Sequence, residues 1–87
     1  MEDFPHLTQA VTVVIVRLRK QAGLSQQKMA ELSSIARVYL LQLEQGKFRP
    51  TLNSIFYLAR GFGIPPEHLV ELIEKERQKL ENFSKED

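Results

Sequence analysis

The chain has 87 residues, 43% of them hydrophobic, with no cysteine and a net charge of +1. That suffices for one small domain with a single core, while the missing cysteines exclude a disulfide framework and thiolate metal sites and fit a reducing cytoplasm. No secretory leader or membrane span is expected: the apolar run Val11–Val16 is six residues with Thr12 inside it, far short of a bilayer.

Met1–Leu7 contains Pro5 and no periodicity, and reads as a loose arm. Thr8 is placed to N-cap a first helix reaching about Ala22, closed by Gly23 at the left-handed position beyond its end. Val11, Val14, Ile15 and Leu18 form the core stripe of that helix. The run Thr12–Val16 is β-branched and on propensity could be a strand; the segment length and the glycine stop favour helix. Val13 and Val16 then leave a second apolar edge, suited to the arm or the last helix, or to a protein interface.

Ser25 can cap a helix over Gln26–Leu32, its hydroxyl accepting from a free backbone N–H. Met29 and Ala30 make the inner face, and Ala30 is small enough to let another helix cross closely. After the turn Ser33-Ser34-Ile35, Leu40 and Leu43 recur at helical spacing and point inward. This turns Arg37, Val38, Leu41 and Gln42 outward. A solvent-facing second helix, one turn longer than its partner and presenting Arg and Gln, has the geometry of a helix-turn-helix reader.

Gly46 ends that helix, and Lys47–Pro50 form a loop. Thr51 caps a fourth helix over Leu52–Gly61, with Leu52, Ile55, Leu58, Ala59 and Phe62 inward; Gly46, Gly61 and Gly63 read as helix stops. Pro66 suits the first turn of a fifth helix, where its missing N–H costs nothing, and this helix extends to about Asn82. Leu69, Ile73, Leu80 and Phe83 form a seam along it, interrupted by Glu76. Residues 84–87 read as a loose tail, and with no repeat or linker the whole of 1–87 reads as one domain. Charge is unevenly spread. Arg17–Arg60 holds eight basic residues against Glu31 and Glu44, whereas Glu67 to the end holds seven acids against four bases. A basic middle of this kind suits a polyanion.

Three motifs, LRKQAGLSQ at Leu18–Gln26, LEQGKFRP at Leu43–Pro50 and LARGFGIPPEHL at Leu58–Leu69, carry a resemblance. In order and spacing the segment Leu18–Leu72 resembles the Xre and phage-repressor/Cro class of helix-turn-helix proteins. The resemblance implies an all-α, five-helix lambda-repressor-like domain with an extended C-terminal helix, binding double-stranded DNA as a homodimer. A cytoplasmic transcriptional regulator of the repressor type, acting on a palindromic operator, follows from it. Arg37 and Gln42 would then meet base edges, Arg through guanine O6 and N7 and Gln through adenine N6 and N7. Gln26 and Gln27 open the second helix near a phosphate, and Lys47 and Arg49 are further phosphate contacts. Arg19 and Glu44 match an ion pair joining the first and third helices, and Tyr39 packs at the helix edge with its hydroxyl open to the backbone.

Four positions depart from the family pattern. Ser34 stands where glycine is usual, and Ala36 stands where Ser or Thr would cap the third helix. Val38 and Leu41 put apolar side chains on the reading face, where they suit thymine methyl groups or a protein partner. The rival function is therefore a protein–protein adaptor or antitoxin-like module on the same fold. A homodimer interface is expected from Phe56, Tyr57, Leu69, Ile73, Leu80 and Phe83. His6 and His68 have no second ligand at metal spacing, and no nucleophile–base set or Gly-rich phosphate loop can be assembled. Neither a metal, a cofactor, a small-molecule ligand nor an enzyme activity is expected.

Overall fold

A computed structural model describes residues 1–85, and in it five helices follow one another. They are α1 (Leu7–Gln21), α2 (Gln26–Leu32), α3 (Arg37–Glu44), α4 (Leu52–Phe62) and α5 (Pro66–Lys85). The strand-prone run Thr12–Val16 lies inside α1. Tertiary burial decides this: Val11, Val14 and Ile15 are buried on one face of α1 with Ala10, and Leu18 packs partly buried beside them. A 15-residue helix hides that face against α3 and α5, which outweighs a few tenths of a kcal/mol of propensity per residue. Thr12 contributes directly, its hydroxyl donating to the Leu43 carbonyl at 2.9 Å. The Leu43 carbonyl, near the end of α3, thereby gains a second donor beside the Gly46 N–H at 3.1 Å.

Two predicted caps form. Ser25 Oγ accepts from the Lys28 N–H at 3.0 Å, and Thr51 Oγ1 accepts from the Ser54 N–H at 3.1 Å. Thr8 does not cap α1. The helix begins two residues earlier, after His6 at φ 63°, with no side-chain cap. The Leu7 N–H donates instead to the Phe4 carbonyl at 3.1 Å, so a backbone turn starts the helix. The arm is correspondingly not loose, since Asp3 and Phe4 both engage side chains of the domain.

Gly61 is not a stop either; it lies within α4, which runs on to Phe62. A Cβ at Gly61 would collide with the Ser33 hydroxyl and come within 3.0 Å of Ser33 Cα and 3.1 Å of Met29 Cε. The absence of a side chain lets α4 approach the C-terminal end of α2. Ile55, Leu58 and Ala59 face inward as predicted, but Leu52, at the first position of the helix, is exposed.

α5 lies along α1. Leu69 and Ile73 are buried in the common core, and Leu80 packs partly buried against it. The seam predicted as a dimer surface is thus mostly consumed within the monomer, and Leu69 and Ile73 cannot face a partner. Glu76, which interrupts the seam, reaches Arg17 at 2.9 Å. Ser84 and Lys85, expected in a loose tail, continue α5; residues 86 and 87 of that tail lie outside the described residues. Among the described residues no helix is long and apolar enough to cross a membrane, and no group of His, Cys, Asp and Glu could hold a metal ion.

Candidate nucleic-acid interface

α2 and α3 meet through a tight turn. Ser34 takes φ 55° there, the left-handed conformation that explains why glycine would be easier at this position. The Ile35 N–H closes the turn onto the Ala30 carbonyl at 3.1 Å. Ala36 holds the extended N-cap conformation of α3 without any side-chain bond, so the first N–H groups of α3 lack the usual hydroxyl or carboxylate acceptor. α3 spans eight residues against seven in α2; it exceeds its partner by one residue rather than one turn.

Two clamps fix α3 in the domain. In the first, Arg19 donates from Nε to Glu44 Oε2 at 2.7 Å and from Nη2 to Glu44 Oε1 at 2.9 Å. Arg19 Nη1 also donates to the Leu24 carbonyl at 2.9 Å. Both side chains are largely removed from water, with 13% and 5% of their surface exposed. The hydrogen-bonded Glu44 carboxylate raises the Arg19 pKa further above its ordinary value, so the guanidinium is always charged here. Gln26 joins this clamp by donating to Glu44 Oε1 at 3.0 Å. One N–H of its amide is committed to the junction of α1, α2 and α3, a partner the sequence did not suggest.

The second clamp is at the opposite edge of α3. Tyr39 donates its hydroxyl to Ser54 Oγ at 2.7 Å and stacks on Phe48, ring centroids 5.0 Å apart. Ser54 is also the residue whose N–H the Thr51 cap holds, so α3, the following loop and the start of α4 move together. The hydroxyl expected to stand open to the backbone is taken by Ser54, a partner 15 residues away and invisible to local spacing.

With Leu40 and Leu43 buried, α3 turns Arg37, Val38 and Gln42 to solvent, and Val38 is 67% exposed. Leu41, expected on the same face, is half-buried. Gln45, immediately after the helix, is exposed and seven residues from Val38, a spacing of two helical turns. It extends the outward row and could have been found from that spacing. Gln27 is exposed on α2 and donates to Glu31 at 3.1 Å. Lys28, Arg37 and Lys47 are exposed, and among the described residues none of them is in an ion pair. Arg49 is paired with Asp3 at 3.0 Å.

The expected dimer residues divide. Phe56 is 53% exposed, Tyr57 lies beneath the Arg60 guanidinium with part of its ring in water, and Phe83 protrudes near the end of α5. Asn53, Phe56, Tyr57, Arg60, Ile64 and Pro66 line an open groove along α4. Leu52, which spacing had placed inward, and Val70, which it did not single out, add exposed apolar surface.

A family model, HTH_3: Helix-turn-helix, matches residues 15–69. The chain is 35% identical over 54 residues to an uncharacterized HTH-type transcriptional regulator, y4dJ, of Sinorhizobium fredii, covering 62% of this chain and 70% of that one. It is 33% identical over 54 residues to an uncharacterized HTH-type transcriptional regulator of Methanothermobacter thermautotrophicus, covering 62% of this chain and 75% of the other. Among solved structures it is similar to the wild-type restriction–modification controller protein C.Esp1396I. The TM-score is 0.74 at 27% identity, over 86% of this chain and 94% of that chain. A tyrosine-to-phenylalanine mutant of the same controller aligns with TM-score 0.78 at 26% identity, over 91% and 98%.

Proposed function

The chain belongs to the helix-turn-helix family of DNA-binding transcriptional regulators, and from that premise we propose a sequence-specific repressor that reads a palindromic operator as a homodimer. One observation carries this reading. Arg37, Val38 and Gln42 stand exposed on a helix that a buried ion pair holds rigidly against the domain. Such a row can enter a major groove, where Arg37 donates twice to guanine, Gln42 pairs with adenine and Val38 meets a thymine methyl. Lys28, Lys47 and Arg49 flank the row with positive charge suited to backbone phosphates, and Gln27 can add a neutral contact to the same backbone.

The dimer is proposed on α4 rather than on the α5 seam. Leu52 and Phe56 are one helical turn apart and exposed, Tyr57 shares a groove with Phe56, and that groove can receive the same residues of a second copy. A two-fold contact is self-complementary in this way. To read an operator, the dimer must set two recognition helices about 34 Å apart, the repeat of successive major grooves on one side of B-DNA.

A duplex selected from a random library, titrated with salt, tests the DNA reading. Affinity should fall with a log–log slope of about −0.9 for each phosphate contact made; no binding even at low salt would refute it. Sedimentation of Phe56→Glu tests the dimer. A monomer with an unchanged circular-dichroism spectrum is expected, and a persisting dimer would place the interface elsewhere.

A further inference from the structure

The N-terminal segment is folded back onto the loop that leaves α3. Pro5 and His6 occupy the middle of the turn closed by the Leu7 N–H on the Phe4 carbonyl. Pro5 brings its locked φ to the second position, and His6 accepts φ 63° at the third, the pattern of a type II turn. This reversal carries two side chains across the domain. The Phe4 ring lies under the Arg77 guanidinium, 4.9 Å from it, and the Asp3 carboxylate meets Arg49 Nη1 at 3.0 Å. Asp3, Lys47 and Arg49 line one recess, with Gly46 and Phe48 of the loop that leaves α3.

We propose that Asp3 and Phe4 form an autoinhibitory latch, in which Asp3 holds the Arg49 guanidinium in place of a DNA phosphate. The latch rests on the reading of Lys47 and Arg49 as phosphate contacts. Carboxylate and phosphate use the same forked donors of arginine, so the two anions compete for one group. The latch is weak enough to release. Arg49 and Asp3 keep 46% and 66% of their side-chain surface in water, and exposed pairs of this kind contribute little. Several simultaneous phosphate contacts displace it, and the Phe4–Arg77 contact, which is not part of the recess lining, returns the arm when DNA leaves. The segment therefore lowers affinity for every sequence alike and leaves base preference untouched.

Fluorescence anisotropy on a selected duplex at low salt, with the full chain, tests the latch. Asp3→Asn should bind about 2- to 5-fold more tightly than the wild type, the range set by an exposed ion pair. Phe4→Ala, which loosens the anchor, should shift affinity in the same direction. Arg49→Ala should weaken binding, and Asp3→Asn should add nothing in the Arg49→Ala background. All these side chains lie at the surface, and melting curves confirm that each variant is folded. Unchanged binding by Asp3→Asn, with Arg49→Ala still weakened, overturns the latch and leaves DNA binding standing. Equal tightening by Asp3→Asn with and without Arg49 also overturns it, because the effect is then one of general charge. If Arg49→Ala binds as well as the wild type, Arg49 is no phosphate contact and the latch fails with it. Absence of binding by every variant and the wild type refutes the DNA reading and the latch together.

Discussion

Replacing Glu44 by alanine tests whether the recognition helix is held by its buried ion pair. The change removes both charged hydrogen bonds from Arg19 and the one from Gln26. Arg19 then stays largely out of water, with the Leu24 carbonyl as its remaining partner. Removing one member of a buried pair costs about 3–5 kcal/mol, because the other charge is left uncompensated. The residual exposure of Arg19 and its retained bond to Leu24 place Glu44→Ala near the lower limit, about 3 kcal/mol. In a domain of this size that lowers the melting temperature by roughly 12–24 °C. Urea unfolding followed by circular dichroism, at low and high salt, measures it. The loss should persist at high salt, since buried pairs are poorly screened. The double variant Arg19→Met with Glu44→Met should lose less than the sum of the single changes, because no charge is then stranded. A loss below about 1 kcal/mol, the range of exposed pairs, or one abolished by salt, would refute the picture of a rigid clamp.

Arg37→Ala and Gln42→Ala should each relax base preference at one position, at a cost of about 1–3 kcal/mol for the preferred duplex, whereas Lys47→Ala should weaken all duplexes alike and reduce the salt slope by about one. An unchanged sequence logo for Arg37→Ala would remove that residue from the reading row. Gly61→Ala should destabilise by about 1–3 kcal/mol through overpacking against Ser33 and Met29, more than the roughly 1 kcal/mol that alanine gains over glycine in a helix; a neutral or stabilising result in urea would show that α2 and α4 can separate freely. Hydrogen bonds from Arg77 and Gln78 hold the Glu74 carboxyl at about 2, well below its ordinary 4.5. A depressed folded-state pKa gives stability that is present above the unfolded value and lost as pH falls through the folded one. The gap in urea midpoint between wild type and Glu74→Gln should therefore narrow from pH 4.5 down to about 2, and a gap independent of pH would show that Glu74 is not so held.

Local chemistry in the chain determined most of the fold. Ser25 and Thr51 mark helix starts because their hydroxyls replace a missing backbone partner. Leu40 and Leu43 orient α3 because a spacing of three places both on one face. Those two facts, with the order of the three motifs, suffice for the helix-turn-helix and for an exposed row at Arg37, Val38 and Gln42. Arg19 and Glu44 were paired through the family resemblance, since nothing in their separation of 25 residues indicates a contact.

Tertiary structure decided where apolar spacing could be satisfied in more than one way. Leu69, Ile73 and Leu80 make an amphipathic seam whether they meet α1 or a second copy, and periodicity carries no label for the partner. Only the position of α1 shows that this seam belongs to the monomer. Gly61 looks like any helix stop until α2 is set beside it, because a glycine chosen for close approach and one chosen for positive φ are the same letter. Gln26 had no partner on paper and has one in space, since Glu44 reaches it from another helix. The arm follows the same logic. Pro5 disfavours regular structure locally, yet the turn it builds with His6 is what brings Asp3 to Arg49, a pairing that depends on distance through space and leaves no periodic trace along the chain.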